Sequence, residues 1–285
     1  MLIWMRRCQS MSPEVALVLA AEIERCLHHR PKSINGNDPQ SEAIAAMLRE
    51  IGFHNLLHFN EPKVKAPGTG EATTYLKMKS GIQGGGNHAD DLRALVLGNA
   101  ASTSDELRDE LVRGLNEAVL NVHQHADDED VENPYKPMPN KHWWIAGYRD
   151  ALAKEIGFIA FDQGVGIPAT MPRKHAEFVR DVISAAGQIL HLSTPTNDHL
   201  LIKRAFELGR SRTEKPSQGK GLNDFKVFLT AAGGKGSLRV LSGRGSYLYD
   251  LQGSERAEPL PVQFHGTLIV WRLTDSPAVR WEDGS

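Results

Sequence analysis

Residues 104–126, "SDELRDELVRGLNEAVLNVHQHA", constrain the fold of this chain more than any other stretch. Ser104 is a natural N-cap, and Asp105 and Glu106 place acid in the first turn, where the helix dipole favours it. Leu107, Leu111, Leu115, Ala118 and Val122 then recur at helical spacing and form an apolar stripe that must be buried. A second face carries Gly114, Glu117, Asn121 and His125, where a helix buried all round would be apolar. The helix therefore has to pack on a core along one side and line something polar along the other.

The flanking elements predict an α/β fold. A short strand at Leu2 to Met5 precedes "SPEVALVLAAEIERCL", a helix with Ser12 as cap and Pro13 in its first turn. "DPQSEAIAAMLREIGF" predicts a second helix, with Asp38 as cap, Pro39 at the first position and Gly52 as its end. Residues 62–71, rich in Pro, Gly and Lys, read as a loop; "TTYLKMKSG" reads as a strand and "GGGNHADDLRALVLG" turns into a helix. Beyond the long helix and an acidic, Pro-rich loop, "HWWIAGYR" and "EIGFIAFD" are adjacent strands. A polar and helical stretch follows to Leu229, and "GSLRVLSG", "SYLYDLQG" and "GTLIVWRL" give three last strands. The expected organisation is an α/β module over residues 1–100 and a second domain over 101–285.

Composition narrows the function classes. With 33 Lys and Arg against 35 Asp and Glu in 285 residues, no global charge points to nucleic acid or an anionic membrane. The two cysteines, Cys8 and Cys26, make no disulfide framework and suit a reducing cytosol. No apolar run reaches membrane-spanning length, and "MLIWMRRCQSM" lacks a signal-peptide core, so a cytoplasmic protein is expected. A P-loop is ruled out by the lack of any Gly-x-x-x-x-Gly-Lys-Ser/Thr sequence. The histidines of "HNLLH" and "CLHH" lack a convincing second ligand pair and read as helix or loop surface.

Three short motifs carry chemistry. "DQGVGIP" follows a strand and sets Asp162, Gly164 and Gly166 at alternate positions; glycines admit close backbone approach and the carboxylate accepts hydrogen bonds. In "SRTEKPSQGKGLNDFKVFL", Gly219 and Gly221 stand just before a helix, where free N–H groups and the dipole favour phosphate. Lys220, Lys215 and Arg212 add positive charge there. "FHGTLIVWRL" puts Gly266 and Thr267 at the start of the last strand.

In order, Glu-x-x-x-Asn on a helix, Asp-x-Gly-x-Gly after a strand, Gly-x-Gly-Leu opening a helix and Gly-Thr on a late strand resemble the GHKL ATPase superfamily. That superfamily includes gyrase B subunits, heat-shock chaperones, histidine kinases, MutL proteins and anti-sigma serine kinases. "NEAVLNVHQHA" looks like its N box, "DQGVGIP" its G1 box, "SQGKGLND" its G2 box and "HGTLIV" its last strand, over residues 101 to about 275.

The resemblance implies a Bergerat-type ATP domain, a two-layer α/β sandwich with a mixed sheet. It implies Asn121 as magnesium ligand, Asp162 as acceptor of the adenine amino group, and Gly164 and Gly166 beside the nucleotide. It places Lys215, Gly219, Lys220, Gly221 and Leu222 in the ATP lid and Thr267 beneath the base. One amide oxygen is a suitable protein contribution to a magnesium ion that bridges phosphates and keeps several waters. Glu117, four residues before Asn121, is the catalytic candidate and activates water in the hydrolysing branches or a substrate hydroxyl in the serine-kinase branch. His125 matches a His common in the anti-sigma branch and is read as a structural hydrogen-bonding group. The sequence departs from the fuller Gly-x-Gly-x-Gly pattern by Ser217.

The expected function is magnesium-dependent ATP binding with slow hydrolysis, in which lid closure switches a protein partner or a homodimer interface. The alternatives are an anti-sigma-type serine kinase and a non-enzymatic, ATP-bound adaptor. "AEIERCL", "IGF" and "YLKMKSG" give the N-terminal module a resemblance to STAS-like domains.

Overall fold

The computed structural model describes residues 2–59, 73–82, 135–140, 142–174, 197–211, 226, 229–230, 233–276 and 281. Its centre is a five-stranded sheet of β3 (Thr73–Gly81), β4 (Trp143–Asp150), β5 (Glu155–Asp162), β6 (Lys235–Asp250) and β7 (Glu255–Thr274), in the order β3-β4-β5-β7-β6. A separate pair, β1 (Leu2–Trp4) and β2 (Asn35–Asn37), runs parallel. The described helices are α1 (Pro13–His29), α2 (Glu42–Glu50), α3 (Phe53–Leu56), α4 (Ile167–Lys174) and α5 (Asp198–Ser211).

Helices around a sheet give the α/β class expected; every described pairing of the large sheet is antiparallel, and no parallel pair of the expected mixed sheet is seen in it among the described residues. Short turns join β4 to β5 and β6 to β7, and a parallel neighbour would need a long crossover instead. Described helices pack on both faces of the sheet. On one face Trp143, Ile145, Phe158, Ala160, Ile269 and Trp271 pack with Ile202 and Phe206 of α5. On the other, Trp144, Ala146, Ile159, Phe161, Leu268 and Val270 pack with Ala16, Leu17, Ala20 and Ile23 of α1 and with Met47 and Leu48 of α2. Successive residues therefore alternate between two buried faces, which is why "WWIA", "IGFIAF" and "LIVW" are nearly continuous apolar runs. Neighbouring Trp143 and Trp144 belong to opposite cores, and Trp144, wholly buried, donates its indole N–H to Glu24 of α1 at 2.7 Å.

The boundary expected near residue 100 lies outside the described residues. On either side of it the described residues share one apolar cluster, and β3 pairs along its length with β4.

Local differences from the sequence reading have physical causes. Helix α1 starts behind Ser12 as expected, although Ser12 caps by position and not by its hydroxyl. Helix α2 starts behind Ser41, three residues later than Asp38 would have it. Asp38 instead accepts a hydrogen bond from His54 Nε2 at 2.8 Å, and His54 is buried where the sequence suggested surface. Gly52 ends the segment in the left-handed region at φ 80°, as expected of a helix stop.

The three last strands of the sequence reading form two paired elements, and β6 is sharply folded. The Leu251 N–H donates to the Gly236 carbonyl at 2.9 Å. A straight strand would hold these residues roughly 50 Å apart at about 3.3 Å per residue. The chain turns back at Gly243, whose φ of 59° favours glycine, before Gly245. Leu238, Val240 and Tyr247 are buried in one core, with Tyr249 packed against it. At the fold, Asp198 Oδ2 of α5 accepts the Arg244 N–H at 2.7 Å. No described helix is long and apolar enough to cross a membrane.

Candidate functional site

Two of the sequence motifs meet at one end of the sheet. Asp162 is the last residue of β5 and stands in register with Thr267 on β7. The Asp162 carboxylate is buried, yet no cation is paired with it among the described residues; it accepts the Gly164 N–H at 2.8 Å and the Thr267 N–H. Burial pushes its pKa up to about 7 from an ordinary 3.8, and the two backbone hydrogen bonds only partly oppose that rise.

The turn after Asp162 depends on glycine. Gly166 has φ 87°, and a Cβ there would lie 2.6 Å from Ser242 Oγ. Gly266 has φ 91°, and a Cβ there would overlap the Asp162 carbonyl. Both glycines thus let the turn after Asp162 and the Gly-Thr segment come together, whatever else approaches them.

Ser242, at the fold of β6, holds the two segments together. Its hydroxyl accepts the Ile167 N–H at 3.0 Å and donates to the Gly266 carbonyl at 3.0 Å. A hydroxyl has one proton, so the 3.2 Å contact with Thr267 Oγ1 is donated by Thr267. Thr267 keeps lone pairs free to accept. The Ile167 N–H that Ser242 satisfies is at the start of α4, where helix N–H groups lack intrahelical partners.

Just past β5, Gln163 is buried and bonded at both its amide nitrogen and its amide oxygen. Its Nε2 donates to the Ala21 carbonyl at 3.3 Å and to Glu22 Oε1 at 3.0 Å, and its Oε1 accepts the Met138 N–H at 3.2 Å. Sequence reasoning named Asp162, Gly164, Gly166 and Thr267, which lie together here, and passed over Ser242 and Gln163. Ser242 reads as part of a Gly-rich turn, while Gln163 fills a variable position of the motif. A polar residue inside "FDQGVG", directly after an apolar strand, was the available signal.

Glu117, Asn121 and His125, with the rest of the long helix, lie outside the described residues. So do Lys215, Gly219, Lys220, Gly221 and Leu222, the loop at 62–71 and the helix of "GGGNHADDLRALVLG". Among the described residues no three His, Cys, Asp or Glu side chains converge as a metal site. No family model matches this chain, and no curated protein matches it in sequence.

Proposed function

We propose that this chain is a cytoplasmic, magnesium-dependent ATP-binding protein of the GHKL kind, with a Bergerat-type ATP domain and slow hydrolysis, whose lid closure switches a partner or dimer interface. The observation that carries the reading is the pairing of Asp162 with Thr267. Two motifs far apart in sequence, ordered as in that superfamily, converge on one buried carboxylate flanked by glycines with positive φ. The acceptor suits adenine: a carboxylate with no partner cation among the described residues accepts an exocyclic amine, and guanine offers a carbonyl at that position. Gly164 and Gly166 admit the nucleotide closely, and Thr267 lies beneath the base.

In this reading Glu117 activates the attacking water, Asn121 contributes the amide oxygen to the metal, and the 215–222 segment meets the phosphates with N–H groups and lysines. Magnesium, when bound, neutralises phosphate charge.

An amine donated to Asp162 favours its ionised form, so ATP binding releases a proton and affinity rises with pH from about 6 to about 8. Calorimetry with magnesium and ATP tests this, alongside Asp162→Ala, for which the expected loss is at least tenfold, about 1.4 kcal/mol. Equal affinity of wild type and variant would sink the site. Incubation with γ-labelled ATP in lysate then separates the outcomes. Released phosphate identifies an ATPase, label on a protein identifies a serine kinase, and binding with neither identifies an adaptor.

A further inference from the structure

Between Asp162 and the N-terminal helix there is one peptide unit and one side chain. Ala160, two residues before Asp162 on β5, packs on the α5 side, so Asp162 faces that side, while Gln163, just past the strand, bonds to α1. Gln163 is clamped there, with its amide nitrogen on the Ala21 carbonyl and on Glu22 of α1. Glu22 is itself a hub. One oxygen accepts from Gln163 and from the Tyr135 hydroxyl, and the other accepts Arg25 Nη2 at 3.1 Å and Nε at 3.3 Å.

The same network reaches the second strand of the site. The Arg25 guanidinium lies over the Tyr135 ring at 4.1 Å, and Nη1 donates to the Tyr135 carbonyl at 3.3 Å. The other face of Tyr135 stacks on His265, with centroids 4.1 Å apart and planes 2° from parallel. His265 is two residues before Thr267. Helix α1 thus grips the residue after Asp162 through Glu22 and, through Arg25 and Tyr135, the segment that leads into Thr267.

We infer that Gln163 and Glu22 are positioning residues of the nucleotide site, and that α1 sets ATP affinity and base selectivity by holding the Asp162 turn and the Gly-Thr segment in register. The inference rests on the proposed adenine role of Asp162 and adds regulation to it. Any displacement of α1 by events in the N-terminal segment pulls on Gln163 and loosens the carboxylate that reads the base. Structural integrity alone does not predict a change in base selectivity, because a stability loss lowers binding of every nucleotide alike.

The test measures ATP and GTP affinity by calorimetry for the full chain and for Gln163→Ala, Glu22→Ala and the double variant. Each single variant is expected to weaken ATP roughly tenfold, as for a lost hydrogen bond to a charged group, and to lower the ATP-to-GTP ratio. The double variant loses little more than either single one, because the two side chains act as one unit. Should the alanine variants fail to fold, the near-isosteric Gln163→Glu sets carboxylate against carboxylate and loosens the site, and combining it with Glu22→Gln restores an amide to carboxylate contact and recovers part of the affinity. Wild type that binds no ATP overturns the reading of the site itself. Wild type that binds, with folded variants of unchanged affinity and unchanged ratio, overturns the role of α1 alone.

Discussion

Two buried charged groups lie against the same sheet, one on a helix and one on a strand, and are treated in opposite ways. Lys226, in helical conformation, sends its ammonium to Tyr247 Oη at 2.6 Å and Glu255 Oε1 at 2.8 Å, with the rings of Phe206, Tyr247 and Tyr249 around it at 5.1, 5.1 and 4.4 Å. Its charge is met by a carboxylate, a hydroxyl and three π faces. Among the described residues Asp162 meets only backbone N–H groups, and its proton affinity rises accordingly. A buried charge that is fully answered holds structure together, whereas one that is left short is disposed to take a ligand. The difference separates the scaffold from the candidate site without reference to either motif.

The sharpest break of this contrast is Lys226→Ala. Removing one partner of a buried ion pair takes the ammonium away from Glu255 and opens a cavity beside Phe206, so stability should fall by about 3–5 kcal/mol in a denaturant titration. Lys226→Met fills the same space without charge, but it still leaves Glu255 without its cation; Lys226→Met with Glu255→Leu removes both and should come within about 1 kcal/mol of wild type. If the paired apolar replacement is as damaging as Lys226→Ala, the box does more than stabilise, and the scaffold half of the comparison fails.

Asp162 supplies the second test, with the sign fixed by its pKa. A carboxyl raised to about 7 when folded and near 3.8 when unfolded binds its proton more tightly in the native state. Its contribution is therefore full below about pH 4 and is lost as pH rises through about 7, with a span on the order of 4 kcal/mol. Other groups titrate as well, so the measurement is the difference between wild type and Asp162→Asn in chemical denaturation at several pH values. The wild type should lose stability relative to the variant between about pH 4 and pH 7. A difference that does not change with pH would show that the carboxylate is not held short of partners.

The same physics decides how much of this molecule could be read from its sequence. The sheet strands were legible because their residues are apolar on both faces and bounded by turn residues, and α1 because its stripe of Ala16, Leu17, Ala20 and Ile23 follows a Ser-Pro start. What covers each face was not legible, because "VALVLAAEI" is equally good as the core of a separate module or as a cover for β4 and β5. The site was legible where chemistry restricts the residue type, at Asp162, Gly164, Gly166 and Thr267. It was illegible at Ser242 and Gln163, whose roles come from neighbours distant in sequence. His54 illustrates the same limit: its bond to the exposed Asp38 engages the acid that was read as the cap of α2.

Ser242 gives the smallest effect and the finest cut through the comparison. Its hydroxyl answers the Ile167 N–H and the Gly266 carbonyl and receives the Thr267 hydroxyl. Ser242→Ala leaves these groups short inside a closed turn, at a cost of about 1–3 kcal/mol. The Gly166 and Gly266 conformations persist, since the backbone is fixed by Asp162 and by the β5 to β7 register. Thr267, losing its acceptor, then turns its proton elsewhere. If Ser242 acts only as scaffold, ATP and GTP affinities fall together in step with stability. If it sets the Thr267 hydroxyl as an acceptor toward the ligand, nucleotide affinity falls further than stability does. Comparing a binding titration with a denaturation curve for this one variant shows whether the boundary between answered and unanswered groups passes on the near or the far side of Ser242.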